Sequence, residues 1–215
     1  MSNTNKQKSN KKILKKDDKI KEPPFPYTLP YKELNLRENP HLYRIGKGEQ
    51  GVLMVQPYKS ELCHLWKFKN PEIATKSSNE LMKKFYEYLL NNDFIGCDMV
   101  RKYIQMGITR SRRYANHSSG KKYKIGNNGK EKYELPKETI NKNTNEKYLS
   151  SLIFEKRYNE IMINKDYLLM SQNHKKLYDH IPIKDIIKDV KLDQINHNPK
   201  KISLYQQKKT KNNFE

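Results

Sequence analysis

The chain has 215 residues, a net charge of +20, 34% hydrophobic and 32% charged residues. That is enough for one ordinary domain with tails, but too polar to be packed core throughout. No run reaches the ~20 apolar residues of a membrane span, and no signal-peptide core follows Met1, so a membrane or secreted protein is not expected. Cys63 and Cys97 are far apart and form no CxxC. They read as core fillers in a reducing, cytoplasmic compartment.

The charge is uneven. Residues 1–22 carry +5 and 196–215 carry +4; residues 23–195 carry +11, of which 101–124 supply +8. Lys outnumbers Arg 37 to 7 and Asn is abundant, the composition of an AT-rich coding sequence. Lysine content is therefore weak evidence for a partner. Arginine placement is stronger, because four of the seven arginines lie between 101 and 113, and the guanidinium fork grips oxyanions in a way Lys cannot copy.

In chain order, residues 1–22 read as a disordered Lys-rich tail, and PPFPYTLP (23–30) as an extended segment laid on the domain surface. A globular domain is expected over 23–178, an amphipathic helix within 179–195, and a second disordered tail over 196–215. HLYRIGKGEQGVLMVQPY (41–58) contains a GxGxxG at Gly46, Gly48 and Gly51. A dinucleotide turn would need a helix directly after it, but strand-like VLMV follows. A kinase loop would need VAIK, HRD and DFG downstream, and none occurs. The pattern predicts a hairpin with strands near 42–45 and 51–55. Its backbone N–H groups, with Arg44 and Lys47 beside them, form a candidate phosphate cradle.

ELCHLWKFK (61–69) holds the only Trp, Trp66, beside Phe68, and is read as core filling. Cys63–His64 lack a second cluster at zinc spacing, so no metal or other cofactor is expected. Asn70-Pro71-Glu72 opens the clearest helix, 71–90, with Asn as N-cap and Pro in the first turn. Asp93 caps the next, 94–106, with Gly107 as its stop. The short Asn91–Asp93 connection makes the two antiparallel neighbours. Thr109 then opens a short third helix that sets Arg110, Arg113, Tyr114 and His117 on one side. MGITRSRRY resembles a helix-turn-helix, but Arg113 and Asn116 stand where that motif buries apolar residues, so a helix start gripping phosphate is preferred. KKYKIGNNGKEKYELP (121–136) predicts a second hairpin. A polar linker over 137–147 follows, then helices at about 148–163, 166–178 (capped by Asp166) and 183–193. The fold class is α+β, mainly helical.

The strings YRIGKGEQGVL, PYK, WKFK (66–69), PEIA and VRKYIQMGITRSRRYANH (100–117) together resemble a known family. It comprises small cytoplasmic proteins of bacteria, fungi and large DNA viruses, catalogued as a domain of unknown function. The resemblance covers roughly 25–175, departing at Val100 and Ser111, where the family has Ala. It implies one compact domain with no assigned activity, and viral membership would make a virion location an expectation.

Three functions compete. The first is a module binding nucleic acid or another polyphosphate. Arg101, Arg110, Arg112, Arg113, Lys121 and Lys122 would hold phosphates, Tyr114 with Tyr103 or Tyr123 would stack, and Asn116 would read a base edge. The second is an enzyme on a phosphorylated substrate, with Glu49 and His117 as acid and base if the fold joins them. No nucleophile motif or paired carboxylates support it. The third is a virion or scaffold protein whose basic surface neutralises genome charge.

Overall fold

The computed structural model describes residues 25–125 and 132–196. Both predicted tails fall outside these residues, apart from Asn196. The elements are α1 (Tyr58–Leu62), α2 (Pro71–Leu90), α3 (Phe94–Asn116), β1 (Tyr123–Ile125), β2 (Lys132–Glu134), α4 (Glu146–Met162), α5 (Lys165–Tyr178) and α6 (Ile183–Asn196), with one-turn 3-10 helices at Pro40–Leu42 and Cys63–Leu65. The fold is mainly helical with one small antiparallel sheet, as expected.

The molecule is built around α3. Every residue from Phe94 to Ile104 is buried, so this part of the helix is covered on all sides, the behaviour of a central core helix. It packs against α1, α2, α4 and α5, most extensively against α4. Caps set both ends of the α2–α3 hairpin. The Asn70 side chain accepts from Ile73 N at 2.9 Å and that of Asp93 from Gly96 N at 3.0 Å, each satisfying an orphan first-turn N–H. Between the helices Asn92 takes φ +57°, a conformation Asn tolerates better than most residues. The first turn of α5 is capped by Asn164, not Asp166, through Tyr167 N at 2.9 Å.

Two boundaries differ from expectation. Gly107 does not end the second helix. α3 runs through it to Asn116, so no separate helix starts at Thr109 and the helix-turn-helix is absent. The reason is packing: a Cβ at Gly107 would lie 2.5 Å from the Phe154 ring of α4. The glycine lets the two helices approach closely.

The glycine loop likewise forms no hairpin. Residues 43–57 run as extended chain and turns. Gly46, Gly48 and Gly51 all have positive φ, and a Cβ at Gly51 would collide with the Phe25 ring. The loop closes over Phe25, with Val52 and Val55 buried beneath it. The second predicted hairpin does form, pairing Tyr123 with Glu134 and Ile125 with Lys132.

A buried polar network ties this irregular segment to α3. Asp98 is fully enclosed and accepts from Arg101 Nε at 2.7 Å, Tyr167 Oη at 2.8 Å and the Tyr43 hydroxyl. Lys102 Nζ lies 3.6 Å from the same carboxylate and donates to Gln50 O at 2.7 Å. Burial alone would raise the Asp98 pKa, but Arg101 and Lys102 outweigh it and hold the group far below the usual range. Burial lowers Lys102 to about 8 against the opposing pull of Asp98.

His174 is buried beside Phe94 and Tyr178, its Nε2 3.2 Å from Tyr43 O. Burial depresses its pKa, against that hydrogen bond and the charges of Asp179 and Asp98. A depressed folded-state pKa means the unfolded chain binds the proton more readily. Stability is therefore fully present above about pH 6.5 and lost as the pH falls below it. Urea midpoints measured down a pH series should start to fall there, and His174→Phe should flatten that part of the profile.

Candidate functional site

The basic stretch 101–124 divides in two. Arg101 and Lys102 are in the core with Asp98, so Arg101 is withdrawn as a surface phosphate ligand. The physical cause is that a guanidinium placed on a buried helical face requires a carboxylate, and Asp98 supplies one three residues earlier. Tyr103, also fully buried, cannot stack on a ligand. What remains at the surface begins at Arg110.

The seven arginines sort by partner. Arg37 makes a bidentate pair with Glu61 at 2.9 and 2.8 Å and bonds Asp93 at 2.9 Å. Arg44 is buried and donates to Ile181 O at 2.5 Å, turned away from the glycine loop. Arg101 is held by Asp98, Arg112 by Glu155 at 2.7 Å, and Arg157 by Glu160 at 2.8 Å and Asn79 at 2.6 Å. Arg110 and Arg113 alone have, among the described residues, neither an acidic partner nor a carbonyl that holds the guanidinium as Ile181 O holds that of Arg44. They are three residues apart on α3 and so share a face, with Tyr114 one turn on from Arg110. Arg112 points to α4, where its exposed pair with Glu155 contributes about 0–1 kcal/mol.

At the last residue of the helix, Asn116 is half-buried and its carbonyl accepts from Glu138 N at 2.9 Å, while Glu138 accepts from Ser118 N at 2.6 Å. That bond lowers the Glu138 pKa. His117 ends α3 and is buried. Lys121, Tyr123 and Lys124 are exposed, and Lys122 lies 3.4 Å from Glu134.

The glycine loop does not form a phosphate cradle. Arg44 faces inward, and the Lys47 N–H is taken by Gln50 Oε1 at 2.7 Å. Glu49 accepts from the Thr109 hydroxyl. Thr109 is eight residues before His117 on the same helix, about 12 Å along its axis. The fold therefore does not join Glu49 and His117 as an acid–base pair. Among the described residues, no group of three His, Cys, Asp or Glu side chains is placed to hold a metal ion.

One feature here escaped the sequence. Trp66 and Phe68, expected inside the core, are only half-buried and line a shallow groove of about 410 Å³ together with Lys67, Lys69, Ile73, Tyr114 and Lys147. It lies where the start of α2, the end of α3 and the start of α4 meet. Ser77 fixes one wall, accepting from Lys67 N at 2.9 Å and donating to Leu65 O at 2.8 Å. Lys147 fixes the other by donating to Phe68 O at 3.2 Å and Lys69 O at 2.6 Å. Burial lowers the Lys147 pKa, with Glu146 opposing. The only local signals were the WKFK string and the helical spacing of Tyr114. The chemistry available on this side is cationic and aromatic.

The model of the family described as "Domain of unknown function (DUF4385)" matches residues 26–177, and the chain belongs to that family. No curated protein and no solved structure matches it. Among the described residues, no helix is long and apolar enough to cross a membrane.

Proposed function

We propose that this protein is a binding module for nucleic acid or another polyphosphate. Its contact face is the last two turns of α3 with the basic segment that follows. The observation that carries the reading is the pairing pattern of the arginines. Five of the seven are engaged by protein carboxylates or carbonyls, while Arg110 and Arg113 stand side by side without an acidic partner among the described residues. Two such guanidiniums, continued by exposed Lys121 and Lys124, suit successive phosphates. Tyr114, 40% exposed, offers a ring beside them. Arg112 and Lys122 stand at the margins, each shared with a glutamate. The free thiols of Cys63 and Cys97 accord with an intracellular site of action.

The test is the salt dependence of binding to a labelled oligonucleotide. Arg110→Ala/Arg113→Ala should weaken binding and flatten the slope of log K against log salt. The change should be roughly 1.4 for a single strand losing two phosphate contacts. The Lys double variant should recover the slope but not the full affinity, because it restores charge without the fork. An unchanged slope in the Ala variant would remove the reading. Competition with inorganic polyphosphate then separates a nucleic-acid site from a general phosphate site.

A further inference from the structure

Resting on that reading, we infer that the groove bounded by Trp66–Lys69, Tyr114 and Lys147 is a base-stacking subsite, which makes single-stranded nucleic acid the ligand class. Three observations converge on it. Trp66 and Phe68 have ring centroids 4.9 Å apart and Phe68 and Tyr114 5.8 Å apart, giving a run of three neighbouring rings along the groove. Bases unstacked from a single strand offer faces to such rings, whereas a duplex keeps its bases stacked on one another. Second, Lys67, Lys69 and Lys147 line the groove and no Asp or Glu does. Lys147 uses two of its three N–H donors on Phe68 O and Lys69 O, leaving one for a phosphate oxygen. Third, Tyr114 belongs to both the groove and the Arg110–Arg113 face, so a strand whose phosphates follow the arginines has its bases led to the rings. The walls are fixed by Ser77 and Lys147 before any ligand arrives, which lowers the ordering cost of binding.

Trp66 is the sole tryptophan of the chain, so its fluorescence reports on the groove directly. The full chain is titrated with a labelled oligothymidylate of about 12 nucleotides and with an abasic strand carrying the same number of phosphates. Oligothymidylate should bind roughly tenfold more tightly than the abasic strand and quench Trp66, which the abasic strand should not. Tyr114→Leu should erase that tenfold preference and Tyr114→Phe should keep it, with circular dichroism confirming that both variants fold. Equal affinity for the two strands, or unchanged Trp66 emission on saturation with oligothymidylate, overturns the groove assignment and leaves the arginine face standing. If neither strand binds, the arginine face fails, and the groove with it.

Discussion

Exchanging Asp98 for Asn should destabilise the fold by about 3–5 kcal/mol, a large share of the ~5–15 kcal/mol that holds a domain together. The substitution keeps the size of the side chain and removes the only carboxylate paired with Arg101 and Lys102 among the described residues, one of them fully enclosed and the other nearly so. Two buried cations are then left without a counter-charge. The tyrosine hydroxyls of Tyr43 and Tyr167 lose a charged acceptor at the same time. Lys102 is the weaker-held cation, at 3.6 Å from Asp98 against 2.7 Å for Arg101, and burial already brings its pKa to about 8. Adding Lys102→Met to the Asp98→Asn variant should therefore recover part of the loss. The sign of the pH effect follows too. The folded-state pKa of Lys102 lies below the unfolded value near 10.4, so deprotonation favours the folded state and stability should rise as the pH climbs through about 8 toward that value. Urea unfolding at neutral and alkaline pH measures both. A loss below 1 kcal/mol would show that the network contributes little.

The second large effect is at Gly107. Alanine is the better helix former by about 1 kcal/mol, and on propensity alone Gly107→Ala should stabilise α3. The packing term has the opposite sign and is larger. The new Cβ would lie 2.5 Å from Phe154 Cγ and Cδ1, and Phe154 is fully buried. Forcing α3 and α4 apart should give a net loss of about 1–3 kcal/mol. Combining it with Phe154→Leu should cost less than the sum of the two single changes, because the smaller side chain leaves room for the methyl group. A stabilised Gly107→Ala protein would mean that the close helix approach is not what the glycine serves.

These two residues also show what was legible in the chain and what was not. The α2–α3 hairpin could be read because its signals are local: Asn70, Pro71 and Asp93 at the caps, and an apolar stripe between them. The basic β-hairpin was local as well. Gly107 looked like a stop because a glycine after an apolar stripe usually is one, and Phe154, its reason for being there, lies 47 residues away in sequence. The glycine loop misled in the same way, since its ring partner Phe25 lies outside the window that suggested a hairpin. The Asp98–Arg101 pair, in contrast, was within reach. Its i, i+3 spacing on a helix already predicted over 94–106 was enough to pair Asp98 with Arg101 and so weaken the case for Arg101 in the surface patch. The inward turn of Arg44 toward Ile181 O, and the meeting of Trp66, Phe68 and Tyr114, depend on segments brought together only by the fold.

On the proposed function, the ligand meets the end of α3 and not merely the lysines at the chain ends. This is tested most directly by photo-cross-linking the full chain to an oligonucleotide containing 4-thiothymidine and sequencing the attached peptides. Cross-links should fall within residues 110–124, with a second set at 66–69, and Arg110→Ala/Arg113→Ala should deplete both. Cross-links confined to residues 1–24 and 197–215 would contradict the account, because the basic tails would then be the binding element and the arginine face would have no ligand.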